Sequence, residues 1–333
     1  MGTAHRIFQV MLMRSKLEPG RDLEGLAGLF PDRLAGPIRE LLTEKGDRLE
    51  EIRLRAGCPV SWVSGDREIV LSVPGDPTDA RRENPGYMGE SGILCGPEDL
   101  TQILRRASDY AAYAVQDQLT AGFLSLPGGH RLGVCGQAVP GQNGIRSIRE
   151  LQSVNLRIAR EVPGAADGAV SLLWSHPAST LILGPPGRGK TTVLRDLVRQ
   201  ISDRFRERIG LVDERGEIAA CLGGVPQLRV GQRTDVLSLC PKERGILLLL
   251  RSMGPRWIAL DEISDPADAE ALIRASYCGV RFLATAHAWD RSDLEKRPLY
   301  RSLMESGVFE NLVLIKPDRS LLCERIGAPA CDS

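Results

Sequence analysis

Residues 184 to 191 of this 333-residue chain read Gly184-Pro185-Pro186-Gly187-Arg188-Gly189-Lys190-Thr191, a complete G-x-x-x-x-G-K-[ST] sequence placed directly after the apolar run Leu181-Ile182-Leu183. Each position has a mechanical purpose in phosphate binding. The glycines let backbone N–H groups close around phosphate oxygens, Lys190 reaches the β- and γ-phosphates, and the Thr191 hydroxyl can ligate Mg²⁺. A helix beginning near Gly189 adds its positive N-terminal end and carries Thr192 in its first turn. Gly-Pro-Pro-Gly is also sound turn chemistry by itself, so the reading depends on what else the chain brings to the loop.

Three further runs supply it. Trp257-Ile258-Ala259-Leu260-Asp261-Glu262 is an apolar strand ending in two carboxylates. In phosphoryl-transfer sites the first acid of such a pair holds Mg²⁺ and its neighbour orients or deprotonates the attacking water, the roles expected of Asp261 and Glu262. Phe282-Leu283-Ala284-Thr285-Ala286-His287 also ends in polar groups. If its strand lies between the phosphate-loop strand and the Asp-Glu strand, Thr285 and His287 stand beside the γ-phosphate and can sense it. Leu211-Val212-Asp213-Glu214-Arg215 offers two more acids to assist the metal or the water. Ligands of open parallel sheets collect at the carboxyl ends of strands, so four polar strand ends are what a nucleotide site requires.

The elements that position these groups fall in the second half of the chain. From residue 166 onward strands alternate with helices, the pattern of a mostly parallel sheet covered on both faces, here a RecA-like P-loop core. Strands are expected over 180–183, 209–213, 257–261, 281–285 and 312–315, with helices near 191–201, 241–253 and 266–277. Before that, residues 1–20 read as a tail and 21–165 as a smaller α+β domain, with Pro163-Gly164 as the linker. Within it, 23–42 has helical spacing interrupted at Pro31 and Pro37, short strands follow at 51–55, 60–63 and 68–73, and 74–96 reads as a solvated loop. Residues 100–123 return to helical spacing, and 124–160 form a small β-sheet with turns at Gly128-Gly129-His130 and 141–144.

Composition bounds the answer without choosing it. Lys plus Arg and Asp plus Glu number 43 each, which removes any global electrostatic case for a nucleic-acid coat. The eight cysteines form no C-x-x-C pair, so neither a zinc site nor a disulfide framework is indicated and a reduced, cytoplasmic protein fits. No run approaches the ~20 apolar residues that span a bilayer, so no direct membrane insertion is expected. Trp62, Trp174 and Trp257 read as packing residues, residues 246–250 as a buried helix face, His130 as structural, and Cys221, Cys240 and Cys278 as small core residues. A Ras-like GTPase would need N-K-x-D and an ABC-type ATPase an L-S-G-G-Q-like signature; neither is present. A small kinase has no use for an acid beside its Mg²⁺ residue. Hydrolysis of ATP with Mg²⁺ is favoured, with Lys190, Glu262, Asp213, Glu214 and His287 as catalytic candidates.

Longer motifs resemble a known family. Residues 211–218, 231–237 and 251–263, together with 49–55, 128–133, 147–149 and 155–161, are similar to the stage III sporulation protein AA ATPases of endospore-forming bacteria. The resemblance spans roughly residues 45–325. It implies a relative of the ring-shaped traffic ATPases of type II and type IV secretion, with one departure, Asp261-Glu262 where those enzymes commonly carry Gly-Glu. It further implies a self-associating ring, expected to be a hexamer, located in the mother-cell cytoplasm and docked on integral membrane proteins of a mother cell–forespore channel complex. Arginines of a neighbouring subunit then neutralise transition-state charge, and Arg146, Arg149, Arg157, Arg160 and Arg233 are the candidates. The alternative is an ATP-dependent nucleic-acid translocase, which would show a basic, aromatic-bearing surface; balanced charge and few aromatics argue against nucleic acid as partner.

Overall fold

A computed structural model describes residues 23–65, 67–72, 92–110, 119, 122–141 and 144–326. The expected tail lies outside them, as does most of the expected 74–96 loop. The chain divides into two units, one comprising Met1–Arg160 with Leu222–Gln227, the other Glu161–Cys221 with Leu228–Ser333.

In the first unit, helices α1 (Leu23–Ala27), α2 (Asp32–Lys45) and α3 (Pro97–Tyr110) accompany an antiparallel sheet. Its strands are β1 (Glu51–Arg55), β2 (Ser61–Ser64), β3 (Arg67–Val70), β4 (Phe123–Ser125), β5 (Arg131–Gly141) and β6 (Gly144–Arg157), in the order β3-β2-β1-β6-β5-β4. Alternation sets the register: Ile52 and Leu54 point inward and are fully buried, with Glu51, Arg53 and Arg55 between them. They share one core with Phe30, Leu34 and Ile38. Pro31 begins α2, but Pro37 does not interrupt it as the spacing had suggested: it lies inside the helix, which runs on to Lys45 with one N–H missing from its ladder. The expected turn at 128–130 is a 3₁₀ turn over Pro127–Gly129. His130 is buried behind it and accepts the Ala159 N–H on Nδ1 at 3.0 Å, a structural placement.

The second unit is built on β7 (Thr180–Leu183), β8 (Ile209–Asp213), β9 (Thr234–Ser238), β10 (Trp257–Glu262), β11 (Arg281–Ala286), β12 (Asn311–Ile315) and β13 (Leu321–Arg325). Their order is β13-β12-β7-β11-β10-β8-β9, and every neighbouring pair is parallel except β12 with β13. The helices are α4 (Asp167–Ser175), α5 (Lys190–Arg204), α6 (Lys242–Ser252), α7 (Pro266–Ser276), α8 (Arg291–Lys296) and α9 (Pro298–Glu305). Burial on both faces explains the continuous apolar strands. Ile182, Leu211, Ala259 and Leu283 join α4 and α5 in one core, whereas Leu183, Val212, Ile258 and Phe282 join α6, α7 and α9 in the other. β9, β13, α4, α8 and α9 were not anticipated.

Packing corrects several single-residue readings. Trp257 is buried, but Trp174 is 69% exposed and meets the Phe205 ring edge-on at 4.9 Å. Of residues 246–250 in α6, Ile246 and Leu249 are buried while Leu247 and Leu248 face outward, because an amphipathic helix buries one stripe. Cys278 is exposed and Cys221 and Cys240 are half-buried.

Candidate nucleotide site

Because β7, β11, β10 and β8 run parallel and adjacent, their carboxyl ends reach one edge of the sheet. That edge carries Gly184, His287, Glu262 and Glu214 in turn. β11 separates the phosphate-loop strand from the Asp-Glu strand, the order the sequence reading required for Thr285 and His287 to matter. Thr285 stands level with Ile182 on one side and Glu262 on the other.

The loop from Gly184 to Gly189 turns with Gly187 at φ 72° and Gly189 at φ 96°, the left-handed region that side chains other than glycine rarely adopt. No protein atom stands within 4 Å of where a Cβ would project at either residue, so backbone N–H groups can meet a ligand there. Lys190 opens α5 and its side chain folds back into the loop, donating from Nζ to Pro185 O at 3.1 Å and to His287 Nδ1 at 2.7 Å. An ammonium has only protons to give, so Nδ1 is the acceptor and the imidazole proton is on Nε2. Nε2 in turn lies 2.6 Å from Glu262 Oε2. Lys190, His287 and Glu262 therefore form one continuous chain. Burial pulls the Lys190 ammonium below the usual lysine range, and the charges of Glu262 and Asp261 oppose that pull.

Asp261 is 7% exposed, and burial raises its carboxyl above the ordinary aspartate range, with Glu217 and Asp213 adding like charge. Thr285 Oγ1 is buried without a hydrogen-bond partner. A buried carboxylate under like-charge pressure, an orphaned buried hydroxyl and an open glycine loop together fit a site for triphosphate and Mg²⁺. Thr191 and Asp261 would hold the metal; Gly184, Pro185, Pro186, Gly187, Arg188, Gly189, Lys190, Thr191 and Thr192 would surround the phosphates.

Two expectations are corrected at β8. Asp213 is fully buried and spends its carboxylate on its own loop: Oδ1 accepts from the N–H groups of Glu217 (2.8 Å) and Ile218 (3.1 Å), and Oδ2 from Ala219 (2.9 Å). Three of its lone pairs are occupied in this way, so Asp213 serves as a loop anchor. Glu214 points to the other face and is paired with Lys242, whose ammonium also lies 3.7 Å from Asp268. Glu214 is thus bound into an ion network with α6 and α7 instead of standing free beside the phosphates.

Sequence reasoning missed the partners of these groups. Arg195, one turn into α5, donates to Glu217 O and Ile218 O at 2.6 Å each and so holds the same loop from the opposite side. Asp196 accepts the N–H groups of Gly164 and Ala166 at 3.0 Å, with Gln200 and Arg199 also donating. Burial would raise its carboxyl; those donors outweigh it and hold it below the usual range. Only their helical spacing behind Lys190 could have marked Arg195 and Asp196. Lys242 had a fainter signal, a cation in a helix's first turn where the dipole disfavours it.

The arginines separate by environment. Arg160 donates to the carbonyls of Gly46 (2.9 Å) and Leu49, and burial draws its guanidinium below the usual range; it braces the first unit instead of reaching outward. Arg157 lies 3.4 Å from Glu51. Arg146, Arg149, Arg157 and Arg233 are exposed.

The sheet order, the double helical cover and the phosphate loop define a RecA-like P-loop NTPase fold with an additional antiparallel-sheet unit. The ATPase DotB of Legionella pneumophila superposes with a TM-score of 0.53 at 15% identity, over 86% of this chain and 78% of that one. The pilus retraction motor PilT, solved with ADP bound, gives 0.55 at 16% identity, over 85% and 80%. The family model described as "Sporulation stage III, protein AA" matches residues 31–321, and the chain belongs to that family. The stage III sporulation protein AA of Bacillus subtilis strain 168 is 36% identical over 290 residues, 86% of this chain and 88% of that protein.

Proposed function

We propose that this protein hydrolyses ATP to ADP and phosphate as one subunit of a homo-oligomeric ring, a hexamer, and that turnover energises assembly of, or transport through, a membrane-spanning mother cell–forespore complex. The observation that carries the chemistry is the Lys190–His287–Glu262 chain at the mouth of the phosphate loop. The traffic role rests on the family and on the shared fold with DotB and PilT.

In this reading the backbone N–H groups of the loop and the N-terminus of α5 bind the β- and γ-phosphates, and Lys190 turns from Pro185 O and His287 to the γ-phosphate. Mg²⁺, held by Thr191 and Asp261, would supply charge neutralisation at the phosphate oxygens. Glu262 accepts a proton from the water whose oxygen bonds to the γ-phosphorus as the bond to the β-γ bridging oxygen breaks. His287 Nε2–H holds the Glu262 carboxylate until then, and loss of the lysine from Nδ1 marks arrival of the γ-phosphate. Arg146, Arg149, Arg157 and Arg233 are the candidates to reach a neighbour's phosphates, Arg160 being committed within its own unit.

No helix among the described residues is long and apolar enough to cross a membrane; the placement of the ring in the mother-cell cytoplasm, held at the membrane by integral partner proteins, rests on the family alone. The test is Mg²⁺-dependent ATP turnover against protein concentration, with and without single-stranded DNA. Turnover per subunit that rises with concentration and ignores DNA supports the proposal. Strong stimulation by DNA replaces it with a nucleic-acid translocase, and bound ATP with no turnover at any concentration or with membrane partners present overturns the enzymatic reading.

A further inference from the structure

Glu262 sits where the sheet stops being regular. β10 and β11 pair in step from Trp257–Arg281 to Ala259–Leu283, then the register shifts so that Glu262 faces Thr285. A bulge of this kind re-aims a side chain, and it also withdraws the ladder bonds that would otherwise fix the backbone under it. The peptide after Glu262 must then be held by other means. Ile263 provides them: its N–H bonds to Thr285 O at 3.0 Å, and its carbonyl accepts the phenol O–H of Tyr300 at 2.5 Å.

Tyr300 is 5% exposed on α9, packed in the core shared with α6 and α7. A buried phenol must find a partner, and this one has chosen the backbone beside Glu262 over solvent. The backbone N–H of His287 also approaches the phenol oxygen. The phenol thus bonds the segment that follows the glutamate, and the His287 backbone lies near the same oxygen. Burial, and then the Glu262 charge, push the Tyr300 hydroxyl up to about 12, so it remains a donor across the working range of pH.

Resting on the hydrolytic reading above, we propose that Tyr300 is a positioning residue for that reaction, fixing the Ile263 peptide so that Glu262 and His287 keep their mutual geometry. It touches no reacting atom. Its contribution is to the placement of the base, and displacement of a reacting group by about 1 Å costs on the order of 100-fold in rate.

The experiment compares full-length wild type, Tyr300→Phe, Leu303→Ala and Glu262→Gln in steady-state Mg²⁺-ATP turnover, with melting temperature and amide exchange at Ile263 and His287 followed in each. Leu303 is fully buried in the same helix and its side chain is wholly apolar, so its truncation reports the cost of disturbing α9 alone. The expected result for Tyr300→Phe is kcat lower by about 10- to 100-fold with KM for ATP within about twofold, faster exchange at the two amides, and a smaller fall in melting temperature than Leu303→Ala, which keeps its kcat. Equal kcat in Tyr300→Phe and wild type, or parallel losses of kcat and stability across both helix variants, overturns the inference. Should the phenylalanine variant not fold, exchange at Ile263 and His287 in wild type decides: rapid exchange at both contradicts the clamp. Turnover by wild type that Glu262→Gln leaves intact would instead overturn the underlying hydrolytic reading, independently of Tyr300.

Discussion

Replacing Asp213 by alanine should unfold the second unit before it harms the chemistry. The carboxylate accepts three backbone N–H groups of residues 217 to 219, at 2.8, 3.1 and 2.9 Å, in a fully buried position. Alanine leaves all three donors in place. Each buried donor stranded without a partner costs about 1–3 kcal/mol, so with water reaching one of the three the loss is about 2–6 kcal/mol, a large part of the ~5–15 kcal/mol that stabilises a domain. Asparagine keeps an acceptor for Glu217 and Ile218 but turns an amide N–H₂ toward the Ala219 N–H, so its cost is about half that. Urea unfolding followed by tryptophan fluorescence should give the order wild type, Asp213→Asn, Asp213→Ala, with Asp213→Asn retaining turnover within about tenfold at a temperature where it is folded. An alanine variant that unfolds with wild-type urea dependence yet has lost all turnover would refute the anchor assignment and return Asp213 to the reacting groups.

Three other perturbations follow from the same geometry. Lys242→Met leaves Glu214 and the buried Asp268 facing each other without their cation, a loss of about 2–4 kcal/mol; burial already raises Asp268 and Lys242 opposes it, so the deficit should grow in thermal melts as pH rises through that raised value and shrink in acid. Asp261→Asn should melt higher than wild type at pH 7 while losing Mg²⁺-dependent turnover. Burial raises the Asp261 carboxyl, so the folded state binds that proton more tightly and loses stability as pH rises through the raised value; the amide escapes this, and its advantage should vanish below about pH 4. Asp196→Ala should cost about 2–4 kcal/mol at neutral pH by releasing the Gly164 and Ala166 N–H groups. Its carboxyl is held low, so the wild-type advantage is present at neutral pH and disappears as pH falls through that lowered value.

What could be read from residue types was the set of groups that must sit at strand ends. Apolar runs closing in Gly184, Asp261-Glu262 and Thr285-Ala286-His287 are legible because a strand buried on both faces is continuously apolar and a ligand edge interrupts it with polar residues. Residue types do not reveal which carboxylates are already occupied. Asp213 and Glu214 look as available as Asp261 in sequence, yet the backbone of 217–219 fills one and Lys242 the other. Those partners are 4 to 28 residues away along the chain and are brought near only by the fold. Tyr300 was invisible for the same reason, since its contact with Ile263 spans 37 residues. Short amphipathic segments such as α8 and the antiparallel edge strand β13 give too few periods for pattern alone to mark them.

The most direct test of the account is a single-turnover comparison of wild type and Glu262→Gln, with ATP binding measured on the same samples. The account predicts that both bind ATP with similar affinity in the presence of Mg²⁺, that wild type releases phosphate, and that the glutamine variant holds ATP intact with the rate down by at least ~100-fold. Phosphate release by Glu262→Gln at the wild-type rate would contradict it.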